Sequence, residues 1–177
     1  MFALGPVRAY VAQVFAPNTK PQEGTTRRDA KKSTSQFEKI SMELTMRERC
    51  IKVALENTPS NVRCVRIRKD LSGLAETSGP DAGLLCAPRP ITRRALYVYL
   101  HECAHFVLHT GEKNGERPRY VEEYEAEQWA HKVMRAAGIP VPRAETRQAK
   151  ENIAYLLRRV KRKKGRRIDP RIRAFGK

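Results

Sequence analysis

The chemistry-bearing residues of this chain concentrate in His101-Glu102-Cys103-Ala104-His105. Two histidines four positions apart on a helix project from the same side, one turn above the other. Their imidazole nitrogens can share a single Zn²⁺. Glu102 points about a quarter-turn away, where it reaches a water on the metal rather than the metal itself. A Lewis-acidic ion, a water and a carboxylate base are the parts of a hydrolytic site. A helix can also carry this pattern by chance, so the neighbouring residues decide.

The first test is the helix. Pro88-Arg89-Pro90-Ile91 breaks regular structure, Thr92 is an N-cap, and Arg93 to His109 runs without Gly or Pro. Leu96, Tyr97, Leu100, Ala104 and Leu108 follow the helical period, and His101 and His105 fall within that stripe. Two inward-facing histidines one turn apart need a shared partner, and a metal supplies one.

The second test is a third ligand, since catalytic zinc usually takes three protein groups and keeps one position open. Tyr120-Val121-Glu122-Glu123-Tyr124-Glu125-Ala126-Glu127-Gln128-Trp129-Ala130 reads as part of a helix spanning 120–137. Its apolar stripe is Ala126, Ala130, Val133, Met134 and Ala137, and Glu123 and Glu127 extend it. A carboxylate on an inner face is costly unless it is paired or bound to metal. Glu122 and Glu125 lie off the stripe and read as solvated.

His-Glu-Cys-Ala-His-Phe-Val-Leu-His, followed by Glu-Tyr-Glu-Ala-Glu-Gln-Trp-Ala, resembles the ImmA/IrrE-type small gluzincins, a zinc metallopeptidase family. The resemblance covers roughly residues 80–140. It implies that His101, His105 and Glu123 hold Zn²⁺ and that Glu102 is the general base. Glu127 takes the position from which an acidic or amide residue orients a ligand histidine. The family pattern has Asp or Asn there, so the longer Glu is a departure that bears on this orienting role. The position six after His105 is Gly111, which excludes the metzincin pattern. By the same resemblance the substrate is a protein or peptide, such as a DNA-bound repressor.

The formal charge of +17 over 177 residues is uneven. Residues 1–42 carry a net +4, residues 43–142 a net +2, and residues 143–177 a net +11. Basicity is therefore a C-terminal property. Arg158, Arg159, Lys161, Arg162, Lys163, Lys164, Arg166 and Arg167 form a run that fits DNA phosphates or a solvated tail. No segment approaches the eighteen or so apolar residues of a membrane span. Gly5, Pro6 and Arg8 interrupt the N-terminal apolar run, which argues against a signal peptide. Cys50, Cys64, Cys86 and Cys103 show no C-x-x-C spacing and read as free thiols with core roles in a reducing cytoplasm.

The elements that must position the site follow in order. Residues 1–41 read as a disordered basic tail. Thr45 caps a helix to Asn57, with Glu48 as its capping-box partner. Val62 to Arg68 reads as a strand, Leu71 to Glu76 as a second, and Gly83 to Ala87 as a third leading into the histidine helix. Ser78-Gly79-Pro80-Asp81 is a turn, and 110–119 a polar loop that reverses the chain. Gly138 to Pro142 closes the glutamate helix. A last helix, 143–163, presents Ala149, Ile153, Leu156, Leu157 and Val160 on one face. This is an α+β fold: a small sheet packed on the histidine helix, a glutamate helix, and a basic C-terminal helix. The expected division is a tail at 1–41, a zincin-like domain at 42–142, and a basic helix and tail at 143–177.

His109 lies too far along the helix axis to share the metal and reads as structural. His131 reads as a surface histidine, the alternative being a transition-state donor. Tyr120 or Tyr124 can supply an oxyanion-stabilising hydroxyl, and nothing in the sequence selects one. The expected function is Zn²⁺-dependent hydrolysis of a peptide bond. The alternative is a catalytically inactive zincin-like protein that acts by nucleic-acid or protein binding through its basic C-terminus.

Overall fold

The computed structural model describes residues 44–79, 81–110, 117–161 and 168–177. The expected N-terminal tail, Pro80 of the turn, the middle of the polar loop, and Arg162, Lys163, Lys164, Arg166 and Arg167 lie outside the described residues.

Thr45 opens helix α1 (Met46–Asn57) with a closed capping box. Its hydroxyl accepts from the Glu48 amide at 3.2 Å, and the Glu48 carboxylate accepts from the Thr45 amide at 2.8 Å. Three short strands follow: β1 (Cys64–Arg68), β2 (Leu74–Glu76) and β3 (Leu84–Pro88). Helices α2 (Arg93–Leu108), α3 (Arg119–Ala136), α4 (Arg143–Lys161) and α5 (Pro170–Phe175) complete an α+β fold.

The sheet has the order β1-β3-β2. β3 runs parallel to β1, with Cys64 opposite Leu84, and antiparallel to β2, with Leu74 opposite Cys86. As the central strand β3 is covered on both faces, so Leu85, Cys86 and Ala87 form a continuous apolar run. β2 is left as an edge strand.

The first two strands start later than the sequence pattern suggests. The Val62 amide bonds back to the Pro59 carbonyl at 3.2 Å, which holds Val62 in a turn, and pairing begins at Cys64. Residues 71–73 are not in the second strand. The Asp70 carboxylate there accepts from the Ser72 hydroxyl at 2.6 Å and holds a local turn in place of a ladder.

The main core joins α1, the sheet, α2 and α3 through Cys50, Ala54, Val62, Leu85, Leu96, Tyr99, Leu100, Cys103, Met134 and Ile139. A polar pair inside it, Thr58 and Tyr99, is satisfied. The Thr58 hydroxyl donates to the Ala54 carbonyl at 2.7 Å, so its single proton is used and Tyr99 donates to it at 2.8 Å. Arg49 of α1 bonds the Ala137 and Gly138 carbonyls at 3.0 and 3.1 Å, satisfying the C-terminal end of α3. Gly138 turns the chain there at φ +64, a conformation that suits glycine. Cys64 differs from the expected core role: it opens an edge strand and is exposed, while the other three thiols are buried.

A second cluster lies on the other side of α3. Tyr120 packs with Ile153 and Leu157 of α4 and with Ile168 and Ile172. The apolar face read on the last helix therefore docks on the glutamate helix. Helix α5 was not expected in the basic tail. Its start is nonetheless written as Asp169-Pro170: the aspartate accepts from the Arg171 amide at 2.8 Å and proline occupies the first turn. No helix among the described residues is long and apolar enough to cross a membrane.

The second cluster is small, so each of its members matters. Leu157→Ala is expected to cost about 2–4 kcal/mol, measured by urea unfolding, whereas Tyr155→Ala, at an exposed position on the same helix, should cost well under half of that.

Candidate metal centre

Helices α2 and α3 pack side by side, and this brings the two halves of the site together. A nitrogen of His101, a nitrogen of His105 and a carboxylate oxygen of Glu123 all lie within 4.8 Å of one another. These are the three residues the sequence singles out, and they form a cluster that can hold a metal ion. His101 Nε2 lies 3.3 Å from Glu123 Oε2, while its Nδ1 faces the other way, 3.7 Å from Glu127 Oε2. The His105 ring stands edge-on to His101 with centroids 5.1 Å apart.

Two of the three donors, His105 and Glu123, suit a cation in their protonation as well as their placing, while His101 holds a proton that a cation must replace. Burial disfavours the charged form of His101, but its bonds to Glu123 and Glu127 prevail and raise its pKa to about 10. Burial also opposes the Glu123 carboxylate, yet His101 holds its pKa down at about 2. His105 is pushed down to about 4, by burial and then by the His101 charge, so it is neutral with a lone pair to give. The metal-free cluster thus keeps one proton, on His101, at the place where a cation fits.

Glu127 is fully buried, and three groups converge on its carboxylate. The Tyr97 hydroxyl donates to Oε2, which also faces His101. His131 Nε2 lies 2.9 Å from Oε1 and 3.1 Å from the Thr146 hydroxyl. Burial raises the Glu127 pKa, and the bonds from His101, His131 and Tyr97 outweigh it, so the group is held below the usual carboxylate range. The longer Glu arm brings its carboxylate to 3.7 Å from the His101 ring, an ion-pair distance longer than a hydrogen bond. His131 is a buried partner of this carboxylate and not the surface histidine that its position suggests. Tyr97 carried only an apolar-stripe signal in the sequence.

Glu102 is different. Its side chain is buried, and it makes no hydrogen bond or ion pair with another described residue. Burial pushes its pKa up to about 7, with His101 and Glu123 pulling in opposite directions. Gly73 presses against it: a Cβ there would stand 2.3 Å from Glu102 Oε1. Only glycine leaves the carboxylate its place.

Two cavities meet at these residues, and Gly73, His101, Glu102, Glu123 and Asn152 border both. The larger, of about 490 Å³, runs along β2 past His105, His109 and Arg119. The smaller, of about 190 Å³, has Leu71, Val98, Ala149 and Ile153 as apolar walls. Tyr120 and Tyr124 border neither; Tyr120 is buried in the second cluster and Tyr124 stacks edge-on against Phe175. His109 lies beside His105, at 5.4 Å between ring centroids, and outside the metal cluster. Helix α4, read in sequence as a basic segment, walls the cleft through Gln148, Ala149, Asn152 and Ile153. On that helix Arg158 and Arg159 are exposed and stand outside the cleft.

A divalent cation entering the cluster must displace the His101 proton. The release is expected to be close to one proton per ion at pH 7, read by calorimetry in buffers of different ionisation enthalpy. Affinity should rise with pH until about 10, where His101 of the free protein has already lost its proton. Glu127→Gln removes the charge that orients His101 and should weaken the ion about 10–100-fold.

Comparison of the chain with protein-family models, with curated proteins and with solved structures returned no match.

Proposed function

We propose that this chain is a zinc-dependent metallopeptidase with a zincin-like site of the ImmA/IrrE type. The observation that carries this reading is the pairing of a His101–His105–Glu123 cluster with a buried, unengaged Glu102 carboxylate beside it. Two imidazoles and a carboxylate are the usual protein donors of a hydrolytic zinc site. When bound there, Zn²⁺ supplies Lewis acidity toward a scissile carbonyl and toward a water.

The chain's own residues supply the rest. Glu102 takes a proton from the attacking water and delivers it to the departing amine. Its raised pKa suits both halves of that task, since the group can gain and lose a proton near neutral pH. Glu127 fixes the His101 ring, with Tyr97 and His131 fixing Glu127 in turn. β2 is an edge strand on the wall of the larger cavity, so an extended peptide can add to it through backbone hydrogen bonds. The apolar walls of the smaller cavity receive a side chain of that peptide. An extended segment of a regulatory protein would meet these requirements.

Glu102→Gln keeps the shape and removes the proton acceptor. Purified wild type should cleave a protein substrate with added Zn²⁺, and Glu102→Gln should bind Zn²⁺ normally yet lose at least about two orders of magnitude in kcat/KM. The acidic limb of the wild-type pH profile should lie at or below pH 7, because a nearby cation lowers the Glu102 pKa from about 7. Gly73→Ala is expected to leave melting temperature and zinc content unchanged while reducing kcat at least about tenfold, through displacement of Glu102. Equal activity in wild type and Glu102→Gln would remove the enzyme reading.

A further inference from the structure

Beyond His131 lies a separate cavity, of about 410 Å³, lined by His131, Arg135, Val141, Arg143, Thr146, Arg147 and Lys150. Four cations border it and no carboxylate does. Elsewhere some exposed cations lie on acids, as Arg94 lies on Glu145, Arg117 on Glu125 and Arg119 on Glu123. Here the side chains of Arg135, Arg143 and Arg147 are exposed and have no hydrogen bond or ion pair with any described residue. Lys150 is half-buried, its Nζ 5.3 Å over the Phe175 ring, which leaves its charge without an acid.

Like charges crowded around one depression repel each other unless an anion joins them. The backbone points the same way. α4 begins at the cavity, its first intrahelical bond runs from the Thr146 amide to the Pro142 carbonyl at 3.2 Å, and the amides of Arg143, Ala144 and Glu145 precede it. A helix start of this kind favours negative charge. Helical spacing then continues the feature. Arg143, Arg147 and Lys150 fall on one face of α4, over about 10 Å of helix, and Gly176 lies against Ala154 at the next position of that face. The acid on the first turn, Glu145, faces the apolar cavity of the metal cleft instead.

We infer that this cavity is a phosphate-binding site, and that the phosphates are those of a nucleic-acid backbone tracked by the basic face of α4. Planar guanidinium groups suit phosphate oxygens in paired hydrogen bonds. Three cations on two turns of α4, with Arg135 of α3 across from them, suit successive phosphates of a polymer better than a single small anion. The site stands independently of the metal and of any hydrolysis. It differs from the basic run at 158–167 in that it is built on packed helices, with a buried histidine at its floor.

His131 provides a local reporter. A labelled DNA duplex and, separately, inorganic phosphate are titrated into the full chain, with anisotropy followed against salt and the His131 ring resonances followed by NMR. The duplex should bind with a steep salt dependence and shift the His131 resonances. Arg143→Gln/Arg147→Gln should weaken duplex binding at least about fivefold and reduce the log–log salt slope by about 2, with the His131 shift lost and the melting temperature kept. Unchanged affinity and slope in that variant would overturn the inference and place the phosphates elsewhere on the chain. A His131 shift with inorganic phosphate but none with the duplex would overturn the nucleic-acid assignment. Should the double variant fail to fold, the wild-type resonances decide: a duplex that binds without moving His131 overturns the site.

Discussion

The carboxylate of Glu127 is the constraint around which the site is arranged. It is wholly buried, and an isolated charge in such a place would cost several kcal/mol or give up its ionisation. Neither happens, because three side chains from two helices are spent on it: Tyr97 and His101 from α2, and His131 from α3. Each of those groups is fixed by the same contact. His101 then has one nitrogen turned to Glu127 and the other to Glu123. The orientation of His101 is thus set by a residue that does not itself join the cluster.

That arrangement demands that α2 and α3 keep their separation and rotation, and apolar packing on both sides of α3 provides this. Met134 and Ala130 face the main core, and Tyr120 faces the second cluster with Ile153 and Leu157. Thr146 of α4 bonds His131, so the last long helix reaches the carboxylate as well as the apolar cluster. The basic C-terminal segment is for this reason part of the site's support. Its apolar face holds α3, its Asn152 borders both cavities, and its charged face is left to solvent or a partner.

The histidine helix, its Thr92 cap and the inward Glu123 were legible in the sequence because each rests on helical spacing, and spacing is local. The capping box at Thr45 and Glu48 was legible for the same reason. What was not legible depends on contacts between elements. His131 follows Glu127 by one turn, but its burial is set by Thr146 of another helix. Tyr97 reads as one more apolar-stripe residue until Glu127 is found opposite its hydroxyl. Gly73 sits in a turn with no helical or strand pattern, and its meaning lies in the Glu102 carboxylate that occupies the space of a side chain. Strand ends failed where a local bond, Val62 to Pro59 or Ser72 to Asp70, displaced the ladder. Helix α5 could have been found from Asp169-Pro170, a signal hidden among arginines.

The division of charge limits what can enter each face. The cleft is bordered by Glu102, Glu122, Glu123, Glu127 and Glu145, with Arg119 as the lone Lys or Arg of its lining. Across the first turn of α4 the lining changes to Arg135, Arg143, Arg147 and Lys150 with no acid. The two faces belong to one helix and stand roughly half a turn apart. Under the proposed reading a phosphate polymer drawn by the overall charge of +17 would be repelled from the carboxylates and held at the arginines. A peptide would meet no such penalty in the cleft, where backbone pairing along β2 and apolar walls would dominate. Under the proposed reading the two ligands therefore do not compete, and His131, which lines the basic cavity and lies 2.9 Å from Glu127 of the cleft, is a contact between the two faces.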